Sequence, residues 1–376
     1  MGYILFGAFF LLMLIGVPIG LAIGLSALIV FVSMGIPLQM VPQTLLEGNN
    51  SFALVAVPFF VLAGDILAKG GISERIVAFA EAALGGIRGG LSVVSVLASM
   101  FIAAISGSGA ATTAAVGASL LPDMKAKGYD VADSAALIAA AGTIGVVIPP
   151  SVPMVLYAVI SGESVAKLFV GGFIPGTLMG LGLIGWALYK AKKQNYSRGS
   201  TFPLREVWKK FLDAFWGLLA PVIILGGIFS GIFTPSEAAA VAVVYSVFVA
   251  VFIYKGLNFK KFYELVIGII ILLAGMFMET ASALIILTPI FLPVVTGVGG
   301  SLPHFDVVLT IGLAIGMATP PVAIDIYVAS AITGLPMGKI ARPIVPMVGI
   351  LMAVFFLVMY LPDIVLALPR WFMGSV

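Results

Sequence analysis

Two short sets of residues carry most of the oxygen chemistry inside this apolar chain. Ser106-Gly107-Ser108-Gly109 is followed by Gly142-Thr143-Ile144-Gly145 and by Pro149-Pro150. Met278-Glu279-Thr280 is followed by Gly316, by Thr319-Pro320-Pro321 and by Asp325. Hydroxyls, carboxylates and carbonyls freed by proline are hard oxygen donors, the kind that a sodium ion takes. The two sets share one register: Pro122 and Pro293, Gly145 and Gly316, Pro149 and Pro320, and Pro175 and Pro346 are each 171 positions apart. Small residues also let membrane helices pack closely. A motif repeated with its Gly and Pro-Pro breaks fits better a membrane chain built twice from one unit, the pattern of a secondary transporter.

The elements that position these residues must be membrane helices. The chain of 376 residues is 61% hydrophobic and 9% charged, with mean hydropathy +1.22. That leaves too few charges to cover a soluble surface. Runs such as Phe6–Val32, Leu168–Tyr189 and Ala238–Tyr254 suit roughly 30 Å of hydrocarbon at about 1.5 Å per residue. Met1-Gly2-Tyr3 lacks a basic flank and a cleavage site, so the first run reads as a membrane helix and not a signal peptide. The absence of cysteine excludes thiolate metal sites and disulfides. A net charge of +3 points to no nucleic-acid partner. Its meaning lies in where the charges sit against the lipid bilayer.

Leu91–Ile105 and Ala110–Leu121 are arms of 15 and 12 residues, each too short for a bilayer that needs about 20. Between them Ser106 to Gly109 favours irregular backbone. The expected element is a re-entrant hairpin over 91–121 with its tip at mid-depth, where such backbone must line a cavity or be buried in protein. The helix over 134–160 is expected to break at Gly142–Gly145 and at Pro149-Pro150. The second copy places a hairpin over 266–292 and a broken helix over 308–332.

Charge asymmetry orients the copies. The linker 194–212 and its flanks, from Lys190 to Lys210, hold seven Lys and Arg residues and read as cytoplasmic. Loop 123–128 is basic, whereas its counterpart 296–301 carries no Lys or Arg, the sign of an inverted repeat. Both termini then fall outside. The repeats are 1–193 and 213–376. From Pro18 to Pro122 is 104 positions, but from Pro235 to Pro293 is 58. About 46 positions therefore lack a counterpart near Leu265, by the repeat register. A missing segment there is the reading, and a genuine deletion is the alternative.

These residues resemble the large membrane subunit of TRAP transporters (tripartite ATP-independent periplasmic transporters). The resemblance rests on Ala104 to Ser108, on Gly142-Thr143 with Ile148 to Met154, and on Ser230 to Ala239. It continues through Gly275 to Thr280, Thr319 to Val322 and Tyr327 to Ser330, and departs at Leu265 and at Asp325, where an uncharged amide is expected. It implies an all-α polytopic membrane protein of two inverted repeats, working as an elevator in the bacterial inner (cytoplasmic) membrane. It implies sodium-coupled import of a small organic anion such as sialic acid or a C4-dicarboxylate. The implied partners are a periplasmic binding protein and a separate four-helix membrane subunit. A stand-alone sodium–dicarboxylate carrier is the alternative.

The expected sodium ligands are Ser106, Gly107, Ser108, Gly142 and Gly145 in one copy, and Met278, Glu279, Thr280, Gly316 and Thr319 in the other. The expected substrate contacts are Ser106, Thr143, Pro149, Pro150, Pro320, Pro321 and Asp325. No metal other than sodium and no organic cofactor is expected. Glu237 reads as a helix cap and His304 as a solvated loop residue. An intramembrane protease would need a Ser/His pair, an Asp pair or a zinc motif. The single histidine and the lack of such pairs make the chain no enzyme.

Overall fold

A computed structural model describes residues 2–17, 19–43, 52–196, 198, 203–256, 280–320 and 323–374. Among them the regular elements are all helices, with one isolated bridge between Arg88 and Arg198. A backbone surrounded by lipid has no water to bond, so helices keep its hydrogen bonds within the segment. The first half holds α1 (Gly2–Leu14), α2 (Ile19–Ser33), α3 (Phe52–Lys69), α4 (Ile72–Leu84), α5 (Gly90–Ser106), α6 (Gly109–Ala126), α7 (Val131–Gly142), α8 (Val152–Ser161) and α9 (Val165–Lys193). The second holds α10 (Leu204–Phe229), α11 (Pro235–Phe248), α12 (Thr280–Gly297), α13 (Leu302–Met317), α14 (Ile324–Thr333), α15 (Met337–Tyr360) and α16 (Asp363–Met373). A 3₁₀ turn, Thr143–Val146, extends α7, and a π turn, Val249–Ile253, extends α11. Val165–Lys193, Leu204–Phe229, Pro235–Ile253 and Met337–Tyr360 are long and apolar enough to cross a membrane. The chain is a multi-pass membrane protein.

Several boundaries differ from the expected ones, each for a local reason. Phe6–Val32 is two helices, α1 and α2, because Gly16 takes φ +85° between them. The first hairpin runs longer than 91–121: α6 continues through Pro122 to Ala126. The carbonyl that this proline displaces is that of exposed Ala118, outside the packed core. The first broken helix starts at Val131 and not at 134, because Asp130 caps it by accepting from Asp133 N–H at 2.8 Å. The second starts at Leu302 rather than 308. The linker 194–212 is partly helical, since α10 begins at Leu204 with Glu206 in its first turn, where the helix dipole favours an acid. Glu237 does cap α11: its carboxylate accepts from Thr234 N–H at 2.8 Å. His304 is not a free loop residue, for its Nε2 lies 2.9 Å from the Val358 carbonyl.

Helix boundaries recur at the expected spacing. The helix ends Ala126 and Gly297, and the starts Val131 and Leu302, are each 171 apart. The halves interlock: α14 lies on α6 and α7, α8 on α12 and α13, and α15 on α7. Small residues permit this approach. α7 buries Ala135, Ala136, Ala139, Ala140 and Ala141. On α9, Gly172, Gly176 and Gly180 form a one-turn-spaced strip that meets Val147, Ile148 and Met100.

Outside this packed unit α3 lies along α11, and α4 along α5 and α10. α3 and α4 meet at 65°. Arg75 joins α4 to the second half, with Nε 3.4 Å from Asp213 Oδ1 and its guanidinium 4.0 Å from the Tyr254 ring centroid. Across another seam Lys127 Nζ donates to Glu81 at 2.9 Å. This pairing holds the Lys127 amine above the usual lysine range. Arg75→Ala is expected to destabilise the solubilised protein by about 1 kcal/mol, the scale of one partly exposed cation–π contact and ion pair. A thermal melt in detergent reads it, and an unchanged midpoint removes Arg75 from the seam.

Candidate functional site

The first hairpin breaks at two residues. Gly107 takes φ 62°, a left-handed conformation that a glycine adopts without strain. It ends α5, and extended Ser108 then caps α6 by accepting from Ala111 N–H at 3.4 Å. The helices fold back on each other from this point. The tip is tightly enclosed. A Cβ on Gly107 would lie 2.7 Å from the Pro150 carbonyl oxygen, and one on Gly64 of α3 2.8 Å from Ser106 Cα.

Oxygens crowd the tip. Ser106 Oγ stands 2.9 Å from Thr112 Oγ1 and 3.3 Å from the Ser108 carbonyl. Thr112 Oγ1 donates to that carbonyl at 2.8 Å. The broken helix closes on this cluster. A Cβ on Gly145 would lie 2.6 Å from Ser108 O and 2.7 Å from Thr112 Oγ1. One on Gly142 would collide with Thr113 Oγ1, whose hydroxyl is buried without a hydrogen-bond partner. Thr143 turns away from the tip and donates to Ala140 O at 2.7 Å. Ser151 spans the Pro149-Pro150 break, donating to Val146 O at 2.6 Å and accepting from Met154 N–H at 3.4 Å.

The second half reaches the same tip. A Cβ on Gly109 would lie 3.2 Å from Asp325 Oδ2 and 3.2 Å from the Gly142 carbonyl. Asp325 is fully buried in the first turn of α14. The structure thus brings together Ser106, Gly107, Ser108, Gly142, Gly145, Pro150 and Asp325, which sequence reasoning singled out. Thr319 donates to Ile315 O at 2.7 Å, and Gly316 and Pro320 are exposed. Met278, Glu279, Pro321 and the junction at Leu265 lie outside the described residues, as does the first arm of the second hairpin. Thr280 is described only as the start of α12.

Sequence reasoning missed Thr112, Thr113, Ser151 and Gly64. One signal was available. Thr112-Thr113 is a hydroxyl pair in an alanine-rich helix, and Thr112, four residues after Ser108, is next to it on the helix surface. A cavity of about 770 Å³ leads away from the tip, lined by Ser106, Ser108, Ala111, Ala115 and Ser119 on one side and by Asp65 and Lys69 of α3 and Glu74 of α4 on the other.

Over most of its length the chain matches the family model described as "Tripartite ATP-independent periplasmic transporter, DctM component", at residues 6–268 and 265–364. The chain belongs to this family. It is 38% identical to the C4-dicarboxylate TRAP transporter large permease protein DctM of Pseudomonas aeruginosa, over 87% of this chain and 88% of that protein. It is 35% identical to the 2,3-diketo-L-gulonate TRAP transporter large permease protein YiaN of Escherichia coli, over 95% of this chain and 96% of that one. It is 36% identical to the isethionate TRAP transporter permease protein DctMQ of Oleidesulfovibrio alaskensis, over 99% of this chain but 66% of that protein's length. These relatives are transporter permeases, so this chain is a TRAP large membrane subunit and not an enzyme.

The closeness of Gly142 to Thr113 makes a test of how the permease seats its hairpin. Gly142→Ala is expected to cost about 1–3 kcal/mol by overpacking. Thr113→Ala should be nearly neutral alone and should recover most of that loss in the double variant, a coupling that thermal melts of the four proteins would measure.

Proposed function

We propose that the chain is the sodium-driven transport subunit of an importer for a small organic acid. One observation carries the reading. The Ser106–Ser108 tip meets the broken helix of its own half and Asp325 of the other half at the head of a cavity large enough for a small solute. Carbonyls and hydroxyls at the tip suit a sodium ion, and the start of α6 presents its positive dipole end there for a carboxylate. Thr143, Pro149, Pro320 and Pro321 would complete the substrate pocket, with Met278, Glu279, Thr280, Gly316 and Thr319 in a second sodium site. The relatives' names, C4-dicarboxylate, 2,3-diketo-L-gulonate and isethionate, support an acidic solute, and sialic acid falls in that class.

The recurring spacing of helix boundaries supports two copies of one unit, and the loop charges support their inversion. The cavity runs from the tip toward α4 on the side of the basic loop 123–128, which suits a state open to the cytoplasm. An elevator would carry the interlocked helices past the frame of α3, α4, α10 and α11. A periplasmic binding protein would deliver the acid, and a small membrane subunit would brace the frame in the inner membrane. Two findings support missing sequence near Leu265: the family match divides there, into 6–268 and 265–364, and the alignment with the isethionate permease covers 427 positions against the chain's 376 residues.

Proteoliposomes holding both membrane subunits, given radiolabelled acids with and without the binding protein, test the reading. Uptake is expected only with a sodium gradient and the binding protein. Ser108→Ala and Thr319→Ala should each raise the sodium concentration for half-maximal uptake. Uptake that ignores sodium and stops when a proton gradient collapses would refute sodium coupling.

A further inference from the structure

Away from the hairpin tip, the start of α13 buries a second carboxylate. Asp306 is 0% exposed. It lies four residues inside Leu302, about 6 Å along the helix from the membrane-edge loop. Thr310 Oγ1 approaches its Oδ1 at 3.5 Å, and its Oδ2 has no hydrogen-bond partner. Ser301 Oγ, at the N-cap of the same helix, is likewise buried without a partner. Tyr157 of α8 reaches this end: its hydroxyl donates to Leu302 O at 3.3 Å and its ring packs on Phe305. Glu163, just past α8, acts electrostatically on Asp306.

His304, two residues before Asp306 on the same helix, lies with its Nε2 2.9 Å from the Val358 carbonyl, and the charges of the neighbouring elements are paired elsewhere or lie at other ends. Lys167 of α9 stands 3.7 Å from Glu163, and Arg370 of α16 is held by Asp363 at 2.7 Å. At this end of α15 the titratable group is Tyr360, while Lys339 and Arg342 lie at its other end. α12 and the 3₁₀ turn contribute none among their described residues, and Asp325 and Tyr327 of α14 follow the far end of α13. Among the described residues no ion pair reaches Asp306. Packing does not require an acid here. The position 171 earlier is Ala135, also fully buried.

We propose that Asp306 is a proton-binding site of the permease, separate from the hairpin tip. A lone carboxylate in this apolar setting costs far more than a carboxyl. The O–H bond therefore forms at Oδ2, with a proton drawn from water at the Glu163 loop and released there when that end of α13 is next hydrated. Thr310 supplies a hydroxyl that can hydrogen-bond to either form. A sodium ion suits the place less well, since one hydroxyl at 3.5 Å and one carboxylate make a poor shell.

The test reads the proton directly and needs no substrate, so it stands or falls apart from the sodium reading. The complex of both membrane subunits is reconstituted in phosphatidylethanolamine–phosphatidylglycerol vesicles. Its infrared difference spectrum is recorded as the bath is stepped from mildly acidic to alkaline pH, with and without ¹³C-aspartate. A carboxyl band that shifts with the label, fades as pH rises and is missing in Asp306→Asn supports the site. A label-sensitive band that ignores pH marks a permanently protonated, structural carboxyl and overturns the proposal, as does a titrating band that survives in Asp306→Asn. Should that variant fail to fold, Glu163→Gln serves instead. Removing a neighbouring negative charge must move the band's midpoint to lower pH, and an unmoved midpoint overturns the proposal.

Discussion

Irregular backbone inside a membrane must find its partners within the protein, and the packed unit of this permease is arranged around that constraint. The tip at Gly107-Ser108 and the break at Val147–Ser151 each interrupt a helix. They satisfy one another's surroundings. Pro150 covers Gly107, Ser108 and Thr112 cover Gly145, and Ser151 bridges its own break. Glycine at 142 and 145 is what allows backbone and hydroxyls to come so close. The same closeness makes the place rich in oxygen, so the solution to a folding problem is also the raw material of an ion site.

The halves are not independent once folded. α14 completes the wall around the first hairpin, and α8 is covered by α12 and α13. The frame side is closely packed as well: α4 lies along α5, and α3 reaches α5 and α8, where Gly64 lets it approach Ser106. Lys127 pairs with Glu81 across the seam to α4, and Arg75 pairs with Asp213 within the frame. The cavity lies between the unit and α3–α4, where relative motion would open or close it.

The two halves share a register but not their charges. Asp325 stands 171 positions after Met154, and Asp306 after Ala135, and all four side chains are fully buried. Acids at these places add electrostatics that packing does not need. Their cost in an apolar interior singles out the second broken helix as the charged partner of the pair, and Asp325 brings that charge to the first hairpin.

Much of this was legible in the sequence. Apolar composition dictates membrane helices, and arms too short to span dictate a fold-back at Ser106–Gly109. Proline and glycine mark where helices break. These are local rules, acting through backbone geometry and transfer into lipid, so residue types and spacing are enough to read them. Helix ends were less legible, since caps such as Asp130 and tolerated prolines such as Pro122 depend on what surrounds the turn. What only the tertiary structure decided is which oxygens face each other. Thr143, in a break, bonds back to its own helix, while Thr112 and Thr113, inside a regular one, face the tip. Asp325 meets Gly109 from more than two hundred positions away in the chain. Such meetings are set by how whole helices stack, and no local pattern encodes them.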